Sequence, residues 1–428
     1  YDIYHHWTIG SVWGTPSTEE IHQHSFLPFA ELKKNDGEDL LAMVRKGPVT
    51  VSIDIEMDNR VVETTMPIAR IQGKSDKYVM IAGHYDSWYE GMTDNGAADV
   101  ILIEMARLFQ KHQNLLNRSV VIAWWSGHSD AKFAGSTWYF DRYWSELREN
   151  CVGYLYVDIA GCKTSDQVRL RRTGMAGAQF GHEAIRRLAG HEPKPYVPMP
   201  RGADQSFFGS AVPITIFTRY EETSFFDENG VQVKPHFYWW HTAADTLDKV
   251  SKEIVLRDFK INAKLAADIL NSPQIPVDIP FFLTEMERFL REIDGTLSED
   301  FDLSAVYPVV ERVREAVSRL TEAGKGRNTD DIIKKVAGEL NRLVYSDNSP
   351  YRVPPLCGRA VFPGLSKAKG VTRQNSREDY YLFLQSEFLR QRNRLVGQLS
   401  RILDDIELQL YRWREEDEGK KASAAEKA

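Results

Sequence analysis

A short apolar run, Tyr78-Val79-Met80-Ile81-Ala82, delivers the chain into Gly83-His84-Tyr85-Asp86-Ser87-Trp88 and then Asp94-Asn95-Gly96. A run of that length and apolarity fits a fully buried strand. Strand side chains repeat every two residues, so a strand ending in His-x-Asp turns both polar groups to one face. Asp94-Asn95-Gly96 is a turn signal, and an amphipathic helix follows through Val100, Ile101, Ile103, Met105, Leu108 and Phe109. Strand, polar loop and helix make the crevice at the carboxyl end of a sheet, where open α/β folds bind ligands. Here the crevice carries metal-binding side chains, and the rest of the chain must supply their partners.

The alternation of strand and helix continues through residues 74–272, with strands expected near 78–82, 119–125, 153–159 and 213–218 and helices near 96–110, 177–189 and 249–271. That is the pattern of a largely parallel sheet covered on both faces. A polar and aromatic loop from about 221 to 237 is long enough to be a lid or an insertion. Before this unit, residues 1–73 read as mixed short elements: Asp36-Gly37-Glu38 opens a helix through Leu40, Leu41 and Val44, and residues 48–55 alternate like a half-buried strand. After it, residues 276–413 read as a helical domain. Val306, Val309, Val310, Val313, Val317 and Leu320 share one stripe, Ile332, Val336, Leu340 and Leu343 another, and a last long helix runs from Phe388 through Leu395, Leu399, Ile402, Ile406 and Leu410 to Trp413. Residues 414–428 are expected to be a tail.

Composition removes several classes. Net charge is −7 with both signs interspersed, so no nucleic-acid partner is expected, and no apolar run is long enough to span a bilayer. Three cysteines, Cys151, Cys162 and Cys357, neither form a disulfide framework nor spell a zinc site, and they suit a reducing compartment, or at most one bridge between Cys151 and Cys162; the cytoplasm is the expected setting. The chain opens on Tyr1, and further residues of the same protein are expected upstream.

Two more groups match the chemistry of the first crevice. Asp158 lies in the apolar run Tyr154-Leu155-Tyr156-Val157-Asp158-Ile159, where an ionised carboxylate is costly unless paired or metal-bound. His241 opens His241-Thr242-Ala243-Ala244-Asp245-Thr246 before a helix. The plain alternatives are an arginine salt bridge for Asp158, a turn-capping role for His241, a satisfied core imidazole for His84 and a helix cap for Asp94. Jointly, imidazoles and carboxylates at the ends of several strands of one sheet converge as hydrolytic metal sites do.

On Gly83-His84-Tyr85-Asp86-Ser87-Trp88, Asp94-Asn95-Gly96, Val157-Asp158 and His241-Thr242-Ala243-Ala244-Asp245-Thr246, in that order and spacing, the chain resembles the zinc aminopeptidase, glutamate carboxypeptidase and transferrin-receptor family of metallopeptidases. The likeness covers residues 74–272. Residues 10–73 resemble the end of that family's protease-associated insert domain, and the helical region resembles its dimerisation domain more loosely. The resemblance implies a three-layer α/β/α metallopeptidase-like domain, a partial insert domain before it and a homodimer through the helices. It implies that His84 and Asp158 hold one metal, that Asp94 bridges two, that His241 belongs to the second, and that Asp86 orients His84.

One part of the family pattern is missing. Family enzymes carry a Glu-Glu pair after a strand ending in tryptophan, one glutamate acting as general base and the next as ligand. Here Trp124-Trp125 leads into Ser126-Gly127-His128-Ser129-Asp130, and counting from either side places His128 and Ser129, or Ser129 and Asp130, at the pair. The family's tyrosine before the last histidine is replaced by Trp240, with Tyr238 two residues earlier. Arg201-Gly202-Ala203-Asp204-Gln205-Ser206 stands where the family has a substrate-side Ser-Asp-His loop. The expected function is therefore a metal-dependent hydrolase of an amide or peptide-like bond in a small-molecule or peptide-like substrate. His128 would assist proton transfer, beside one or two zinc ions, or iron or manganese. The alternative is a receptor or scaffold that kept the fold and lost catalysis.

Overall fold

The computed structural model describes residues 2–8, 12–14, 16–23, 27–56, 58, 60–171, 173–193, 206–209, 211–229, 231–234, 237–347, 349–353 and 361–426. The expected Arg201–Gln205 loop lies outside them. The strands are β1 (Ile68–Ile71), β2 (Tyr78–His84), β3 (Ser119–Trp125), β4 (Cys151–Val157), β5 (Gln167–Leu170) and β6 (Ile214–Glu221), in the order β1-β3-β2-β4-β6-β5. The inner four, β3-β2-β4-β6, run parallel, and β1 and β5 close the two edges antiparallel. The helices are α1 (Lys34–Val44), α2 (Ala97–Lys111), α3 (Ala134–Arg142), α4 (Trp144–Asn150), α5 (Met175–Ala189), α6 (Lys252–Asn271), α7 (Ile279–Asp294), α8 (Tyr307–Ala323), α9 (Asp330–Tyr345), α10 (Pro363–Ser366) and α11 (Glu378–Glu426).

The period-two rule sorts β2 between two cores. Val79 and Ile81 pack with Ile101, Leu102 and Met105 of α2 and Ile261, Leu265 and Ile269 of α6. Tyr78, Met80 and Ala82 face the other way, onto Tyr139 and Phe140 of α3 and Leu147 of α4. Every residue of β2 is buried, as a strand central in a doubly covered sheet requires. The architecture is thus α/β, with helices on both faces of a mixed sheet.

Helices α7, α8, α9 and α11 share a core that also takes in Met175 and Ala176 of α5. Buried Arg118, ahead of β3, pairs with Asp330 at the start of α9 at 2.5 Å, and Asp330 also accepts the Ile275 N–H at 2.8 Å. The helical region is therefore bonded to the sheet unit as well as packed on it.

The expected tail is a correction: residues 414–426 continue α11 without a break. The helix forms because its last turns are rich in Glu, Lys and Ala, good helix formers that need no burial. The expected strand at 48–55 is another. It has no ladder partner among the described residues, and Val49, Val51, Ile53 and Ile55 are all exposed. Alternation makes a segment fit for a sheet but does not supply the neighbouring strand whose bonds would hold it there.

Candidate metal centre

The order in which strands are added reverses at β2: β3 lies on one side of it and β4 on the other, all three running parallel. Such a switch point opens a crevice at the carboxyl ends of the two strands. His84 is the last residue of β2, and Asp158 is the first residue past β4. Asn95 fixes their relation. Its Nδ2 donates to the Val157 carbonyl at 3.1 Å and its Oδ1 accepts the Ile159 N–H at 3.2 Å, so the amide clasps the main chain on both sides of Asp158. Gly83 makes room for this clasp, since a Cβ there would stand 2.7 Å from the Val157 oxygen and 3.1 Å from Asn95 Nδ2.

Asp94 lies between two imidazoles. Its Oδ1 is 2.9 Å from His84 Nε2 and its Oδ2 is 3.1 Å from His241 Nε2. Asp158 Oδ1 is 3.3 Å from the same His84 nitrogen. The loop is held from below by Asp245, whose carboxylate accepts the Thr93 and Asp94 N–H groups at 2.9 and 3.1 Å. Burial pushes the Asp245 carboxyl up to about 6. For His84, burial opposes charge, but the Asp158 and Asp94 carboxylates outweigh it and hold the imidazole well above its ordinary range. For Asp94, burial is likewise outweighed by the two imidazoles, which hold it well below the usual carboxylate range.

Both imidazoles present Nε2 to Asp94 because each Nδ1–H is committed elsewhere, to the Asp86 carbonyl for His84 and to the His6 carbonyl for His241, at 2.7 Å in each case. The group of Asp86 that orients His84 is thus its main-chain oxygen, where a carboxylate is expected. The Asp86 carboxylate instead accepts the N–H groups of His128 and Ser129 at 3.1 and 2.7 Å, tying the loop after β3 to the loop after β2.

That loop supplies the substitution for the missing glutamates. The His128 ring lies flat on the His84 ring, centroids 3.8 Å apart and planes within 3°, with the Tyr156 hydroxyl 3.1 Å from its Nδ1. Ligand atoms of His84, His128 and Asp158 lie within 4.8 Å of one another. Ser129 is buried beside it and Asp130 is exposed. Of the three candidates at the glutamate pair, His128 is the one brought into the ligand-distance group. Trp240 stacks on His241 at 3.7 Å, whereas Tyr238 is exposed. Phe237 and Trp239 are core with Phe225 and Ile159.

The donor set fits a cation. His84 Nε2, Asp94 Oδ1 and Asp158 Oδ1 are buried, face one another and make no hydrogen bond of good geometry, the arrangement that a shared positive ion satisfies. Imidazole and carboxylate suit zinc, and also iron and manganese. Sequence reasoning missed Asn95, Tyr156 and the segment around His6, none of which carries a local signal of its role.

Comparison with known proteins agrees with the sequence motifs. The profile described as Peptidase family M28 matches residues 67–266. The chain is 30% identical over 116 residues to the mouse (Mus musculus) aminopeptidase NAALADL1, a match covering 26% of this chain and 15% of that protein. It is 35% identical over 92 residues to an aminopeptidase of Pseudomonas aeruginosa, covering 21% and 17%. The matches therefore span under a fifth of these relatives' lengths. Among solved structures, a zinc aminopeptidase from Bacillus subtilis aligns with 49% of this chain and 52% of its own, at 15% identity and a TM-score of 0.41.

Proposed function

With residues 67–266 a domain of peptidase family M28, we propose that the chain is a metal-dependent hydrolase of an amide or peptide-like bond with an altered proton-transfer group. The observation that carries this reading is the posture of Asp94, whose two oxygens address different imidazoles. A carboxylate so placed would help hold cations, with His84 and Asp158 on one side and His241 on the other. Zinc at this donor set would supply a Lewis acid that polarises a carbonyl and brings water's pKa toward neutrality. The protein's own part is to keep the imidazoles and carboxylates in register through Asn95, Asp245 and the Asp86 carbonyl, and to handle protons. His128 is the group that handles them, because the Tyr156 hydroxyl at its Nδ1 can exchange donor for acceptor as the ring gains or loses a proton.

The test is metal content and turnover together. Protein purified without added metal should carry zinc, iron or manganese by mass spectrometry and cleave some member of an aminoacyl-anilide and dipeptide panel. His84→Ala should lose both. His128→Ala should keep metal while kcat falls by roughly two to four orders of magnitude. An unchanged rate removes His128 from the mechanism. A wild type devoid of first-row metal favours the scaffold reading, for which residues 126–137, containing no glutamate, are the supporting observation.

A further inference from the structure

The His6 carbonyl that holds His241 belongs to a strap reaching the centre from 235 residues away in the chain. The two residues are joined in both directions: the His6 N–H donates to the His241 carbonyl at 3.0 Å, and His241 Nδ1–H donates to the His6 carbonyl at 2.7 Å. His241 has φ of 60°, a backbone conformation that side-chain-bearing residues enter rarely and keep only when neighbours enforce it. The strap supplies one of those neighbours and, through the carbonyl, decides which nitrogen of the ring reaches Asp94.

Main-chain bonds alone do not say whether the strap stays docked; its side-chain anchors do. Glu31 meets the strap at two points: its Oε1 accepts the Trp7 N–H at 3.0 Å, and its Oε2 stands 3.2 Å from His6 Nδ1 without a hydrogen bond of good geometry. Tyr89, just past the Gly83–Trp88 motif, meets His6 Nε2 with its hydroxyl at 2.6 Å. The His6 ring also stacks on Trp88 at 5.2 Å, and Trp7 stands edge-on to Trp240 at 5.0 Å. Every one of these contacts ends on the strap or on the aromatic wall around His241.

We propose that Glu31 and Tyr89 are positioning residues of the metal centre, which act by docking the Tyr4–Trp7 strap so that its His6 carbonyl sets the tautomer and aim of His241. The inference rests on the metal-centre reading above and deepens it. It assigns a role at the centre to residues 4–7 and to Glu31, which lie outside the matched family domain.

The experiment is a competitive zinc titration of the full chain, read against a chromophoric chelator, together with nitrogen-edited NMR of the histidine rings. Glu31→Ala and Tyr89→Phe should weaken the zinc step that depends on His241 by about tenfold to a hundredfold, as loss of a group that orients a ligand does. The step that depends on His84 and Asp158 should stay within about twofold. The protected His241 Nδ1–H signal of the wild type should exchange faster in both variants. Leu32→Ala, an exposed neighbour of Glu31, should change neither readout. Glu31→Gln keeps an acceptor for the Trp7 N–H and should fall between wild type and Glu31→Ala. Wild-type zinc affinities and an unchanged His241 signal in Glu31→Ala overturn the proposal. A wild type that binds no zinc overturns the metal reading instead, and the His241 signal then decides the strap by itself.

Discussion

Asp258 shows how one side chain ties the sheet unit together and leaves a trace in the pH dependence of stability. It is fully buried at the first turns of α6, accepts the Gly161 N–H at 2.8 Å and pairs with Arg257. Burial pushes its carboxyl up to about 6, and Arg257 and the Gly161 N–H offset only part of that. A carboxyl raised in the folded state binds its proton more tightly there than in the unfolded chain. Its contribution is therefore complete below the ordinary carboxylate range and is lost as pH rises toward about 6. Asp258→Asn should flatten the fall in urea midpoint between pH 4 and pH 6 relative to wild type; an identical slope would mean that Asp258 titrates normally. At this scale the sequence was legible where chemistry is announced locally. His84, Asp94, Asp158 and His241 each sit at the end of an apolar run or in a turn motif, and the structure brings them together. The partners that aim them were not legible, because the His6 carbonyl, Asn95 amide and Tyr156 hydroxyl are ordinary groups whose role comes only from what long-range folding places beside them.

The loop between β3 and α3 is an element whose fit is set by one missing side chain. The Gly135 N–H donates to the Ser126 carbonyl at 2.9 Å, and a Cβ on Gly135 would stand 2.4 Å from that oxygen. Because the oxygen is main chain, it cannot swing aside without moving the loop that carries His128. Gly135→Ala should cost about 1–3 kcal/mol by denaturant unfolding, as overpacking does, and lower turnover more than metal content; wild-type stability would mean the loop yields freely. The inner strands and the amphipathic helices were readable from periodicity because each has enough residues to establish it. The edges β1 and β5 were not, having only four residues apiece. The segment 48–55 errs the other way, since its pattern is that of a strand while its surroundings offer no ladder.

Across the whole chain, stability is distributed unevenly, and no described helix is long and apolar enough to cross a membrane. Among the residues of α11 whose burial is described, Trp413 is the last that is buried, and Arg327 lies over its ring at 5.4 Å. Beyond it the side chains up to residue 423 are exposed, and the pairs from Arg327 to Glu416 and Asp417 are surface pairs of little worth. Trp413→Ala should therefore cost about 3–5 kcal/mol, while a stop after Arg414 should leave the unfolding midpoint unchanged; equal losses from both would show that the end is supported by something else. Because α11 is one unbroken helix, the turns past Trp413 lean on the turn before them and on the two Arg327 surface pairs, over about 20 Å at 1.5 Å per residue. With no buried side chain from residue 414 to residue 423, these turns open more readily than the turns that carry the indole and the core residues before it. Amide deuteration along this single rod should accordingly read as a staircase, slowest where the core covers it and faster past the indole, a built-in ruler of how far thermal motion penetrates.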